Sequence, residues 1–338
     1  ALNGRRGSVV ALDPSTGAIL AMVSSPSYDP NQLASHDSGT AQSAWNSLSA
    51  DEGQPMVNRA IGGDLYPPGS TFKILTVAAA LRDGKANADT EMDAPDTLTL
   101  PGTNHALSNY AGESCGNGKV KLSYAFAESC NTPFAQLAMD VGYKDLSSEA
   151  EAWGFDDSQS IPLTVTPSRF PETNSDAETA MAGIGQASVR ATPLMMAQVA
   201  GTIANGGDQM KPYLVAQTLD SDLNVVDTTT PKVARTPISS QTAQALSSLM
   251  QQAVSDGTGS SAQVAGVSVA GKTGTAETGS DDGGPVTWFV GFAGTDLSKP
   301  SIALAIVLDG GEQTAATGTG GSVAGPMAAS IIDAAVDQ

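Results

Sequence analysis

Apolar positions are densest from Ile74 to Leu81, where Ile, Leu, Val and Ala are interrupted only by Thr76. A Pro67-Pro68-Gly69 turn precedes this run. The pattern predicts a helix that opens at Ser70, is hydrophobic nearly all round, and is buried inside a large protein. Gly84, after Arg82-Asp83, is a fitting residue at which to end it. Toward both chain ends the pattern changes to that of strands. Residues 7–12 and 18–23 are short apolar runs flanking Asp13-Pro14-Ser15-Thr16-Gly17, which predicts a hairpin. Residues 264–275, 286–294 and 301–308 predict three more strands, divided by a polar loop at 277–284 and by residues 296–300.

Between these ends the pattern is mostly helical. Helices are expected at 122–128, from Pro133 with Thr132 as its cap, at 149–153, 177–184 and 192–204, then at 239–255 and 325–336. Residues 24–65 read as loop, 85–118 as short strands at most, and 212–227 as a second hairpin. The terminal strands need partners, and the economical solution is one antiparallel sheet built from both chain ends. The expected class is α+β: a five-stranded antiparallel sheet flanked by helices, plus an all-helical subdomain. The sheet lobe would take residues 1–65 and 210–338, and the mostly helical lobe 66–209.

Composition narrows the function. With 16 basic against 35 acidic residues the net charge is −19, which argues against nucleic acid as a partner. No run approaches the ~18 apolar residues of a membrane span, and no signal peptide opens the chain. Residues 1–6 lead straight into a strand, so a natural N-terminal segment is expected to have been removed or not included. His36 and His105 lie far apart in polar loops. That leaves no metal-ligand spacing and makes a Ser-His-Asp triad a poor fit, so an activated serine needs another base. Cys115 and Cys130 could close a loop in an oxidising compartment, or be two thiols with one buried.

Three short motifs carry candidate chemistry. Ser70 and Lys73 are three apart at the start of the buried helix, hence on one face. Burial should lower the lysine pKa and place a base beside a nucleophile. The alternative is a capping serine and a lysine that reaches solvent. Ser129-x-Asn131 lies on a turn between helices, where both residues could equally be caps. Lys272-Thr273-Gly274-Thr275 lies in a strand, where alternation sends Lys272 and Gly274 to one face and the threonines to the other. An edge strand of this kind can accept an extended peptide as an added strand, or simply carry a solvated lysine that deters aggregation.

In this order, Ser-x-x-Lys, Ser-x-Asn and Lys-Thr-Gly are the three elements of penicillin-binding proteins and class A β-lactamases. Where that pattern has Ser-Asp-Asn, this chain has Ser129-Cys130-Asn131. Over nearly its whole length the chain resembles the transpeptidase domain of class B penicillin-binding proteins of actinobacterial type. Residues 10–22 (VALDPSTGAILAM), Asn58-Arg59-Ala60, Gly183-Ile184-Gly185-Gln186, Thr192-Pro193-Leu194, Ala204-Asn205-Gly206-Gly207 and Trp288-Phe289-Val290-Gly291-Phe292 carry the likeness beyond the motifs.

The resemblance implies a mechanism without metal or cofactor. Ser70 attacks the D-Ala-D-Ala bond of a peptidoglycan stem peptide while Lys73 takes its proton. The backbone N–H groups of Ser70 and Thr275 hold the oxyanion, and Ser129 relays a proton, tuned by Lys272. Asn131 holds Lys73 and a substrate amide. Lys272 and Thr273 bind the terminal carboxylate of the substrate or of a β-lactam, and Thr273, Gly274 and Thr275 form the substrate-binding strand. A membrane glycan polymerase is an expected partner, and the extracytoplasmic membrane face the expected location, through an anchor and pedestal domain outside this chain. A Cys115–Cys130 disulfide would brace the Ser129 turn. The alternatives are a D,D-carboxypeptidase or serine β-lactamase, or a non-catalytic penicillin sensor. A β-lactamase needs a carboxylate or modified lysine to activate water, and Asp156, Asp157, Glu172, Asp176 and Glu178 fall in no recognisable deacylation motif.

Overall fold

A computed structural model of the chain describes residues 1–63, 65–277, 284–310 and 318–336. Five strands form its main antiparallel sheet: β1 (Gly7–Leu12), β2 (Ile19–Ser25), β3 (Ser268–Ala276), β4 (Val286–Gly294) and β5 (Ile302–Leu308). Their spatial order is β3-β4-β5-β1-β2, so the first and last parts of the chain meet where β1 pairs with β5. This leaves β3 on an edge. Among the described residues only its β4 side is paired, in a register that sets Lys272 opposite Val290 and Thr273 opposite Phe289.

Both sheet faces are covered, which is why β1, β4 and β5 read as nearly continuous apolar runs. Val10, Leu12, Val290, Phe292, Ala305 and Val307 point into the larger core. Their neighbours Val9, Ala11, Phe289, Ala293, Ile306 and Leu308 point into a second core closed by Met327, Ala328 and Ile332 of the C-terminal helix. The larger core contains α2 (Lys73–Arg82), α3 (Leu122–Ala127), α4 (Thr132–Val141), α5 (Tyr143–Trp153), α6 (Asp176–Gly183) and α7 (Pro193–Ala204). Eleven of the twelve residues of α7 are buried, as expected of a helix laid across a sheet. Helix α8 (Ser240–Ser255) packs on β3, with Ser239 accepting from Thr242 N at its start.

Several boundaries differ from the sequence expectation. The stretch read as loop contains α1 (Ser38–Ala50), capped by Asp37 on Thr40 N; it buries only Ala44, so it has almost no apolar stripe to reveal it. Helix α5 begins at Tyr143 rather than 149, after Gly142 turns the chain at φ 88°. Strand β3 begins at Ser268, because Val264 and Val267 bridge each other in a turn. The short strands expected within 85–118 are present as two-stranded ribbons, Glu91–Ala94 with Gly118–Lys121 and Thr97–Thr99 with Ala106–Ser108. The second hairpin is narrower than expected, pairing Gln217–Leu219 with Val225–Thr228. Of the loop read at 277–284, residues 278–283 lie outside the described residues.

Candidate active site

The turn that carries Ser70 is built by close backbone approach. Residues Gly69–Phe72 form a short 3-10 turn, and the α-helix begins only at Lys73, so Ser70 precedes the helix instead of opening it. Gly69 has φ +52°, and a Cβ there would lie 2.9 Å from Thr275 O. Gly185 packs from the other side at φ +74°, where a Cβ would meet Gly69 O at 2.0 Å; its carbonyl accepts from Gly69 N at 3.0 Å. Trp288 Nε1 donates to Pro67 O at 2.9 Å. Ser70 is thereby wedged between the edge strand and the 185 loop. The same approach shows that the Thr275 carbonyl points off the free edge of β3. In an antiparallel strand the N–H of that residue points the same way.

Lys73 is wholly buried, 5.3 Å from the Phe134 ring centroid. Its Nζ donates to Ser129 O at 2.7 Å, Cys130 O at 2.9 Å and Asn131 Oδ1 at 2.9 Å. Burial pushes its pKa well below the usual lysine value, and the nearby Lys272 charge pushes the same way. Among the described residues, Ser70 Oγ is not one of its hydrogen-bond partners, so the hydrogen bond expected between Ser70 and Lys73 is not formed in this geometry. The reason is elementary. A buried amine is drawn to whatever acceptors lie within reach, and the Ser129–Asn131 turn offers three.

That turn lies between α3 and α4, with Ser129 in the left-handed region at φ 60°. Asn109 Oδ1 accepts from Asn131 N at 2.8 Å and Thr132 N at 3.2 Å, and Asn131 Nδ2 donates to Ser108 O at 3.2 Å. Cys115 and Cys130 are joined in a disulfide, Cα atoms 6.0 Å apart, so the residue whose carbonyl holds Lys73 is covalently tied to the loop above it.

On β3, Lys272 is also fully buried. Its Nζ donates to Thr273 O at 3.2 Å and lies 5.6 Å from the Phe126 centroid. Burial lowers its pKa to about 7, with Glu128 pulling in the opposite direction. Thr273 and Thr275 line the cleft instead. The Thr273 hydroxyl shares a 2.7 Å hydrogen bond with that of Thr258, and Thr275 Oγ1 accepts from Gly320 N at 3.0 Å.

These parts converge on one cleft of about 190 Å³, lined by Ser70, Ser129, Asn131, Thr258, Thr273 and Thr275 among others. Gly274 stays in the strand between the two threonines. Sequence reasoning passed over Asn109 and Thr258, which have no motif spacing of their own. The acidic residues from Asp156 to Glu178 are elsewhere: Asp156 accepts from Phe170 N at 3.2 Å, and Asp157 pairs with Arg235 at 2.9 Å. Among the described residues, the carboxylates at the cleft are Glu113 and Glu128. Among the described residues there is no group of three or more His, Cys, Asp or Glu that could hold a metal ion.

Residues 7–333 match the family described as "Penicillin binding protein transpeptidase domain". The chain belongs to that family. It is 45% identical over 338 residues to "Peptidoglycan D,D-transpeptidase PbpA" of Mycolicibacterium smegmatis, an alignment covering 98% of this chain and 67% of that protein. It is 42% identical over 335 residues to the protein of the same name from Mycobacterium tuberculosis, again with 98% and 67% coverage. Among solved structures, the penicillin G acyl-enzyme complex of penicillin-binding protein A from M. tuberculosis superposes with a TM-score of 0.90 at 42% identity, covering 98% of this chain and 74% of that one.

Proposed function

We propose that the cleft performs peptidoglycan D,D-transpeptidation through an acyl-Ser70 intermediate. The observation that carries this is the convergence of Ser70, Ser129, Asn131, Thr273 and Thr275 on one cleft beside two fully buried lysines. The donor stem peptide lies along the free edge of β3 as an added strand. Its terminal carboxylate meets the hydroxyl of Thr273, with the Lys272 charge behind that strand. The reacting carbonyl faces the N–H groups of Ser70 and Thr275, at the positive end of the segment that leads into α2.

Lys73 is the base. In its neutral form it has two N–H groups and a lone pair, so one of its three acceptors is released and the lone pair becomes available to the Ser70 hydroxyl. Ser70 Oγ gives its proton to Lys73 and bonds to the carbonyl carbon; the C–N bond to D-alanine then breaks as Ser129 passes its own proton to the departing nitrogen and takes the Lys73 proton in its place. An amine of a second stem then attacks the ester, takes the acyl group and restores Ser70. A β-lactam follows the first half of this course. Its leaving group remains tethered, and the adduct persists. The alternatives that hand the acyl group to water gain no support from residues 156–178, which place no carboxylate at the cleft. The enzyme works on the extracytoplasmic side of the membrane, supplied with glycan by a membrane polymerase.

The test uses a thioester donor ending in D-alanine, offered with D-alanine as acceptor amine. Products separated by mass report the partition between aminolysis and hydrolysis. Acyl transfer that depends on acceptor concentration and vanishes in Ser70→Ala is expected. Exclusive hydrolysis at every acceptor concentration would overturn the transpeptidase assignment in favour of a carboxypeptidase.

A further inference from the structure

A second cavity, of about 450 Å³, opens beside the first and is lined by Tyr66, Pro67, Gln186, Arg190, Glu277 and Asp309 among others. Gln186 lines both, so the two spaces adjoin at that side chain. The segment bearing Arg190 is clamped to the nucleophile turn at both ends. Gly69 N donates to Gly185 O at 3.0 Å, and Tyr66 and Ala191 exchange backbone hydrogen bonds of 3.1 and 2.8 Å.

Arg190 Nη1 donates to Ala187 O at 3.0 Å and Val189 O at 2.8 Å, which fixes the guanidinium on its own loop. Among the described residues, Nε and Nη2 have no protein partner. The other charges at the cavity are differently disposed. Arg6 and Asp309 pair with each other at 2.7 Å, and Glu277 is exposed, where solvent screens it. What remains is a half-buried guanidinium edge in the geometry that receives a carboxylate through two parallel N–H bonds.

Strand direction says whose carboxylate this is. A donor peptide with its terminal carboxylate at Thr273 and its reacting carbonyl at Ser70 and Thr275 runs antiparallel to β3. Its upstream part therefore continues past Thr275 toward Glu277, the residue of this strand's extension that lines the second cavity. Two residues of extended chain cover ~7 Å, so the side chain next to the acylating D-alanine arrives at this cavity. Resting on the transpeptidase assignment of the cleft, we propose that Arg190 binds a carboxylate carried by that neighbouring residue of the donor. The arginine is then a specificity determinant for acidic stem peptides.

The experiment compares two thioester donors, acyl-X-D-alanyl-thioglycolate, in which residue X bears either a free side-chain carboxylate or its carboxamide. Thiol release gives kcat/KM for each with wild type, Arg190→Gln and Arg190→Lys. The expected wild-type preference for the free acid is about tenfold, the scale of one charge-assisted contact at a half-buried site. In Arg190→Gln the ratio falls to about one, and Arg190→Lys, which keeps the charge without the fork, lies between. A wild-type ratio near one, or a tenfold ratio that survives Arg190→Gln, overturns the inference. Labelling of Ser70 by penicillin in the same preparations tests the acyl-enzyme assignment separately, since penicillin carries no such residue.

Discussion

Asn131 offers the sharpest handle on the base. Lys73 reaches its charged form in a fully buried site because three acceptors satisfy its three N–H groups, and Asn131 Oδ1 is the only one on a side chain. A hydrogen bond to a charged group contributes about 1.5–3 kcal/mol. Asn131→Ala therefore weakens the proton affinity of Lys73 roughly ten- to a hundredfold by the conversion of 1.36 kcal/mol per decade. The amine must be neutral to act, so losing this acceptor moves the acid limb of the acylation profile to lower pH. Asn131→Asp acts in the opposite sense. A carboxylate beside the ammonium strengthens the charged form, and the limb moves to higher pH. The assay is the second-order rate of acylation by a fluorescent penicillin between about pH 5 and 9. Asn131 also holds the cleft together, so both variants lower the plateau; the position of the limb decides, not its height. A limb that stays put in both variants, or moves the same way in both, would refute Lys73 as the titrating base.

Three other outcomes follow from the same geometry. Lys272 must be charged to attract a carboxylate and titrates at about 7, held up by Glu128; Glu128→Gln should shift the alkaline limb of kcat/KM for a carboxylate-bearing donor to lower pH, and an upward shift contradicts this. Gly185→Ala introduces a Cβ 2.0 Å from Gly69 O in a left-handed residue, so it should lower Tm and nearly abolish acylation together, whereas loss of stability with normal acylation would detach the 185 loop from the nucleophile turn. Cys115→Ser opens a loop closed across a separation of 15 residues, a cost of about 3 kcal/mol by chain entropy. The domain should still unfold cooperatively, at a lower Tm, while acylation slows because the carbonyl of Cys130 loses its tether. An unchanged rate would count against that coupling.

How much of this was legible beforehand depended on whether the signal was local. The sheet was legible because β1, β4 and β5 are apolar on both faces, and a Pro-Pro-Gly turn followed by Ile74-Leu75-Thr76-Val77 announces a buried segment. The motif residues were legible as types at spacings. Their contacts were not. Ser70 and Lys73 look like neighbours on a helix face, but the turn before Lys73 is 3-10, and the amine is drawn to carbonyls 56 and 57 residues away in sequence. Nothing near Thr258 marks it as the partner of Thr273, since the contact spans 15 residues and depends on how α8 packs on β3. Helix α1 was missed for a different reason. A helix that buries one alanine has no hydrophobic period to read.

If Ser70 becomes an acyl carrier, labelled penicillin must be found bound to it. After brief incubation and removal of free drug, peptide mapping by mass locates the adduct, and a chase records its lifetime. A single adduct on Ser70 is expected, lost in Ser70→Ala and lasting far beyond the time of its formation. An adduct on any other residue, or one released within seconds of forming, would contradict it.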